Sequence, residues 1–336
     1  MSAILVTGCA GFIGMHCAER LLARGEQVVG IDNLNAYYDV ALKQARLARL
    51  TARPGFRFER LDLADRAGMA GLFQRVQPRR VLHLAAQAGV RYSIDAPDIY
   101  TDANLLGFAH VLQGCRAARV DHLVFASSSS VYGGNAKAPF AERDAVDHPI
   151  SYYAATKKAN EVMAHSYAHL YAMPCTGLRF FTAYGPWGRP DMALFKFTRA
   201  MLAGQPIDVY GQGRLVRDFT YIDDIAEGVL RVLDKPATPD PAWDAARPNP
   251  GASSAPYRIF NIGNGAPTVL MDYIQAIESA LGLTASKRLL PEQPGDMSVT
   301  SADASALAAW VGFAPNTPVR EGVARFVRWY REFYEV

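Results

Sequence analysis

Three regularly spaced glycines, Gly8, Gly11 and Gly14, separate a short apolar run from a helix-forming stretch, and this junction limits the possible folds more than any other. Ala3-Ile-Leu-Val-Thr7 suits a buried parallel strand, Met15 to Arg24 is apolar on one face, and Gly25 is placed to end that helix. Glycine is needed where a chain turns sharply out of a strand, where backbone approaches a pyrophosphate, and where helix packs closely on strand; the helix N-terminus then receives the negative charge. Phe12 and Ile13 lie inside the same cradle. The next strand, Gln27 to Asp32, ends in an acid about 20 residues on, where an aspartate binds adenosine ribose hydroxyls and repels a 2′-phosphate. The spacing therefore predicts NAD rather than NADP.

Apolar runs at Phe56 to Leu61, Val81 to Ala85, His122 to Ala126 and Thr176 to Phe181 alternate with helical stretches, which predicts a parallel sheet covered on both faces. Ligands of such sheets bind beyond the carboxyl ends of the strands. The segments that follow are Asp62-Leu63, Ala85-Ala-Gln-Ala-Gly-Val-Arg91 and Ser127-Ser-Ser-Ser-Val-Tyr-Gly133. Asp62 suits either a ligand contact or a turn cap. Asn104, inside a helix expected over Tyr100 to Val120, is either a surface amide or a partner holding a nearby loop. Further along come a Pro- and Gly-marked loop from Thr182 to Met192, helices over Phe195 to Ala203, Val269 to Leu281 and Val319 to Phe333, and a strand at Tyr257 to Gly263. Residues 236–256, rich in Pro, Ala, Asp and Ser, are expected to form an exposed or mobile loop.

A chain of 336 residues, half of them hydrophobic, can bury a large core. Its net charge of +3 and the lack of long like-charge runs point away from nucleic acid and anionic membranes. Four scattered cysteines fit small buried thiols in a reducing compartment and offer no metal-like spacing. With no basic segment ahead of the first apolar run and no stretch of spanning length, a cytoplasmic location is expected.

Tyr153 and Lys157 fall on one face of a helix expected to start near Ser151, because residues four apart stand one above the other. A neighbouring ammonium, joined by an oxidised nicotinamide, should favour the phenolate and make a usable base. Tyr152 and Lys158 do not compete, since their partners at that spacing are Thr156 and Ala154.

Residues 1–235 and 257–336 resemble the extended short-chain dehydrogenase/reductases, through the glycine motif, the serines after the fifth strand and the YxxxK sequence. Within them the chain is most similar to nucleotide-sugar epimerases, above all UDP-glucuronate 4-epimerases. The residues that carry this are Gly30-Ile-Asp-Asn-Leu-Asn35, Ala86-Gln-Ala-Gly-Val-Arg91, Leu178-Arg-Phe-Phe-Thr182, Tyr184-Gly-Pro-Trp-Gly-Arg-Pro-Asp-Met192, Arg217-Asp-Phe-Thr-Tyr and Gln293-Pro-Gly-Asp296.

The resemblance implies a Rossmann-type doubly wound α/β domain over 1–182 and a smaller C-terminal α/β substrate-binding domain over 183–336, with segments near 210–235 and 257–263 returning to the first. It implies a catalytic set of Ser128, Tyr153 and Lys157. Contacts to tightly held NAD fall on Gly8, Gly11, Phe12, Ile13, Gly14, Asp32, Asn33, Asn35, Asp62, Leu63, Ala85, Ala86, Gln87, Asn104, Tyr153, Lys157 and Phe180. Contacts to a UDP-sugar fall on Arg91, Ser128, Ser129, Ser130, Thr182, Arg189, Tyr210, Arg217 and Asp296. Tyr153 would remove the proton of the C4 hydroxyl, and the 4-keto sugar would turn about its pyrophosphate and be reduced on its other face. Sister dehydratases and decarboxylases carry carboxylates where this chain has Ser129 and Ser130, and neutral-sugar epimerases usually have asparagine in place of Thr182. These small hydroxyls could hold the sugar carboxylate away from the geometry in which a β-keto acid loses carbon dioxide; alternatively the two serines only cap the following turn. UDP-glucose 4-epimerisation, glucuronate decarboxylation and a non-catalytic NAD-binding role are the competing readings. A homodimer built through helices near 100–120 and 152–172 is also implied, as is a role in supplying galacturonate for polysaccharide.

Overall fold

The computed structural model describes residues 3–293 and 297–336. Its centre is a seven-stranded, wholly parallel sheet. In chain order the strands are β1 (Ile4–Thr7), β2 (Val28–Asp32), β3 (Phe56–Arg60), β4 (Arg80–His83), β5 (His122–Ser128), β6 (Cys175–Phe180) and β7 (Tyr257–Ile262). Across the sheet they run β7-β6-β5-β4-β1-β2-β3. The order reverses beside β1, so the crevice at which ligands of such sheets bind opens there.

The strands are apolar on both faces because helices cover both. Ile4, Val6, Leu82 and Val124 pack into one core cluster with the helices Phe12–Ala23 and Ile222–Asp234. Leu5, Val81, Leu123 and Phe125 pack into the other with Phe73, Phe108 and Ala164. The C-terminal elements form three two-stranded sheets and the helices Ala193–Leu202, Leu270–Leu281 and Val319–Tyr334.

Three sequence expectations need correction. β5 runs two residues further than expected, so Ser127 and Ser128 are strand residues rather than loop. The helix expected over Tyr100 to Val120 contains a π turn, Thr101–Leu106, centred on Asn104; such turns insert an extra residue and redirect side chains. The segment 236–256 is exposed only in part. Ala252, Ser253 and Ala255 are buried, and the Ser253 hydroxyl meets His165 Nε2 at 2.8 Å, because small side chains let the backbone lie against the helix Tyr152–Tyr171.

That helix is fastened to the sheet by charge. Glu161 accepts bidentate hydrogen bonds from the fully buried Arg179 of β6, from Nε and Nη2 at 2.9 Å each, and a third from Ser127 Oγ at 2.6 Å. Arg179 also donates to the Tyr132 hydroxyl at 3.0 Å, and Tyr132 donates to Asn261 of β7 at 2.7 Å. Removing one partner strands the other charge in the interior. Glu161→Ala is therefore expected to lower unfolding free energy by about 3–5 kcal/mol in urea titrations; a loss below about 1 kcal/mol would mean the pair is expendable.

Candidate active site

A cleft of about 900 Å³ runs over the carboxyl ends of β1, β4, β5 and β6 and continues between the sheet and the C-terminal elements. The glycine turn forms one wall. Gly8 has φ +72°, and a Cβ there would lie 2.7 Å from the Ala85 nitrogen; a Cβ on Gly14 would lie 2.0 Å from the Gly8 carbonyl oxygen. Backbone thus packs on backbone, and the amide end of the helix Phe12–Ala23 faces the cleft. Gly11, Phe12 and Ile13 line it as well.

Asp32 closes β2, accepting from the amides of Ala10 at 3.2 Å and Leu34 at 2.8 Å. Burial pushes its carboxyl above the ordinary value, while the Leu34 amide and the Lys43 charge pull it back. Asn33 donates to Asp62 Oδ2 at 2.8 Å, and Asp62 Oδ1 accepts from the Ala64 amide at 2.8 Å, so Asp62 is a turn cap that also lines the cleft. Asn35, Leu63, Ala85, Ala86, Gln87 and Phe180 line it too. The glycine cradle, an acid after β2 and amide side chains at the next turns form a donor and acceptor set that fits a dinucleotide.

Asn104 is a correction to the expected cofactor contacts. It is buried behind the cleft, accepts from the Gln87 amide at 2.8 Å, and donates to Gln87 O at 3.0 Å and Thr156 Oγ1 at 3.1 Å. Its amide is spent on holding the Gln87 loop to the helix that carries Tyr153.

That helix starts at Ser151, whose hydroxyl accepts from the Ala154 amide at 3.1 Å. Tyr153, Lys157 and Ser128 all line the cleft. Lys157 donates to the Ala126 carbonyl at 2.9 Å, and burial lowers its ammonium from 10.5 to about 8. Burial pushes the Tyr153 phenol above its ordinary value, and what opposes this is the Ser128 hydroxyl together with the charge of Arg189.

The serines divide their work. Ser127 faces Glu161; Ser128 Oγ accepts from the Ser130 amide at 3.2 Å and donates to Ser130 Oγ at 3.1 Å. The turn cap expected of Ser129 or Ser130 is thus supplied by Ser128, and Ser129, Ser130 and Thr182 all line the cleft. Arg91, Arg189, Tyr210 and Arg217 line the far half, with the Arg91 guanidinium 5.3 Å from the Tyr210 ring centre. Asp296 lies outside the described residues. Sequence reasoning missed Asp191, which takes a bidentate ion pair from Arg189 and a 3.2 Å hydrogen bond from the Tyr37 hydroxyl. It also missed Lys196 and Arg199 on the helix Ala193–Leu202. Their three-residue spacing puts two cations on one helix face, and that pattern could have flagged them.

The family model described as NAD dependent epimerase/dehydratase family matches residues 4–263. The chain belongs to this family. A probable UDP-glucuronate 4-epimerase from Rhizobium meliloti is 49% identical over 98% of this chain and 97% of its own. UDP-glucuronate 4-epimerase 1 of Arabidopsis thaliana is 47% identical over 98% of this chain and 77% of its own. The crystal structure of UDP-glucuronic acid 4-epimerase from Bacillus cereus, in complex with UDP-glucuronic acid and NAD, superposes with a TM-score of 0.88 at 31% identity, over 99% of this chain and 100% of that one.

Because Arg189 lowers the Tyr153 titration, losing its charge should move base-dependent turnover to higher pH. Arg189→Gln is expected to shift the acidic limb of kcat upward, measured from initial rates with UDP-glucuronate between pH 6 and 10; an unmoved limb would refute the assignment.

Proposed function

We propose that the protein interconverts UDP-glucuronate and UDP-galacturonate by reversible oxidation at C4, with NAD held in the glycine-turn half of the cleft. The observation that carries this reading is that Ser129, Ser130 and Thr182 all line the cleft that Tyr153 lines. These positions bear hydroxyls, so the wall offers hydrogen bonds to a sugar carboxylate and no second carboxyl to drive elimination of water. The one carboxylate from the 185–191 loop that reaches the cleft, Asp191, is engaged by Arg189 and Tyr37. Relatives named as UDP-glucuronate 4-epimerases at 47–49% identity support the same substrate.

Bound NAD supplies a reversible hydride acceptor at C4. Tyr153 takes the C4 hydroxyl proton as phenolate and returns it after the sugar has turned over, and Ser128, its hydroxyl turned away from Ser130 Oγ, donates to the same oxygen. Lys157, anchored on Ala126 O, would supply a positive charge to the nicotinamide half of the cofactor. Gly8, Gly11 and Gly14 admit the pyrophosphate, and Asp32 receives the adenosine ribose. Arg189, Arg217 and Arg91 meet the uridine diphosphate, for which guanidinium forks are suited.

Sugar proton NMR of purified protein with UDP-glucuronate is expected to show UDP-galacturonate accumulating without added NAD, and Tyr153→Phe to slow this by at least about 10²-fold. Formation of UDP-xylose with carbon dioxide would establish a decarboxylase, and faster turnover of UDP-glucose a neutral-sugar epimerase.

We also propose a homodimer in the cytoplasm. No helix among the described residues is long and apolar enough to cross a membrane, and the four cysteines are buried and unbonded. Ile99, Leu106, Tyr152, Val162 and Leu170 are exposed on neighbouring helices, an apolar face that a second copy would cover. Light scattering should give twice the 36.7 kDa chain mass, falling to one chain mass in a Val162→Glu, Leu170→Glu protein; a monomeric parent would end this reading.

A further inference from the structure

Arg46 has no exposed surface and lies between the two halves of the cleft without lining it. A guanidinium has five N–H donors, and here all five are used. Nε and Nη2 both donate to the Trp187 carbonyl, at 3.1 and 2.6 Å; Nη2 also reaches Gly188 O at 2.9 Å. Nη1 donates to Ala10 O at 3.2 Å and to the Tyr38 hydroxyl at 2.7 Å. Every acceptor is neutral, so nothing about the pairing is an ordinary ion pair. The acceptors belong to three different segments. Ala10 lies in the glycine turn, Tyr38 follows the Asp32–Asn35 turn, and Trp187 and Gly188 immediately precede Arg189.

A second side chain from the nucleotide half grips the same loop. His16, on the helix that follows the glycine turn, donates from Nε2 to Pro186 O at 3.1 Å. The carbonyls of Pro186, Trp187 and Gly188 are therefore captured in succession from one side, and the Trp187 ring is packed on Trp329 and Phe333 from the other. Trp187 has φ +64°, a left-handed conformation that a tryptophan adopts only when its surroundings hold it there. The loop is fixed by these grips rather than by its own preference.

We propose that Arg46 is a positioning residue that couples the NAD site to the substrate diphosphate site, by locking the loop bearing Arg189 in register with the glycine turn. The inference rests on the reading of Arg189 as a diphosphate ligand. Coupling of this kind is reciprocal, so loosening the link weakens both sites. Lysine cannot replace Arg46, since three donors cannot serve five bonds spread over three segments.

The test uses UDP itself, titrated calorimetrically into full-length protein, so that it does not depend on which sugar is turned over. Arg46→Met and Arg46→Lys are expected to raise the Kd for UDP about tenfold or more and to lower the NAD content of the purified protein. Arg189→Gln should raise the UDP Kd similarly, and the Arg46→Met, Arg189→Gln protein no more than about twofold beyond the weaker single variant, because both changes disable one contact. If Arg46→Met does not fold, the Arg46→Lys pair supplies the same cycle. Unchanged UDP affinity in either Arg46 variant, with only a lowered melting temperature, would make Arg46 merely structural. Multiplying effects, or an Arg189→Gln protein with parental UDP affinity, would overturn the route through Arg189. Parental protein that binds UDP but fails to epimerise UDP-glucuronate would count against the proposed function and leave the coupling intact.

Discussion

The buried contact between Glu161 and Arg179 is what makes a site out of separate elements. Tyr153 and Lys157 sit on a helix, the serines at the end of β5, Phe180 at the end of β6 and Thr182 just beyond it. The carboxylate joins the helix to β6 through Arg179 and to β5 through Ser127 in one cluster. Its directionality matters more than its net worth, because two desolvated charges gain little over apolar packing while tolerating very few geometries. Asn104 performs the corresponding task on the other side, holding the Gln87 loop to Thr156.

Burial and charge act against each other throughout the cleft. The same enclosure that excludes water raises the Tyr153 phenol and lowers the Lys157 ammonium. Arg189 acts on the tyrosine across the cleft, and Arg189 is itself held by Asp191, which is held by Tyr37. The acid–base properties of the site thus depend on a loop whose conformation is imposed from the nucleotide half by His16 and Arg46. Residues 16 and 46, near the start of the chain, and residues 186–188, near its middle, are thus joined by a continuous set of hydrogen bonds.

Much of this was legible in local sequence. The strand, glycine turn and helix were readable because their requirements are local: no side chain fits at Gly14, and Asp32 ends the next strand. Tyr153 and Lys157 follow from the pitch of a helix. For Asn104 the sequence left a surface amide and a partner of a nearby loop both open; the structure chose the second, through bonds to residues 17 and 52 positions away, and took it out of the expected cofactor contacts because a π turn has no sequence signature of its own. The loop 236–256 was misjudged in part because composition reports polarity, whereas the burial of Ala252 and Ser253 follows from what they lie against.

What the sequence determined by itself is therefore the parallel α/β frame, the dinucleotide turn and the tyrosine–lysine pair, since each depends on neighbours within a few residues. Tertiary structure decided the rest. It chose Ser128 rather than Ser129 or Ser130 as the cap, paired Arg189 with Asp191 and Tyr37, and placed Arg46 under the loop that carries Arg189. A cation's role is set by the acceptors within about 3 Å of it, and those around Arg46 come from segments up to 142 residues distant along the chain. No local pattern can encode a partner that only folding brings near.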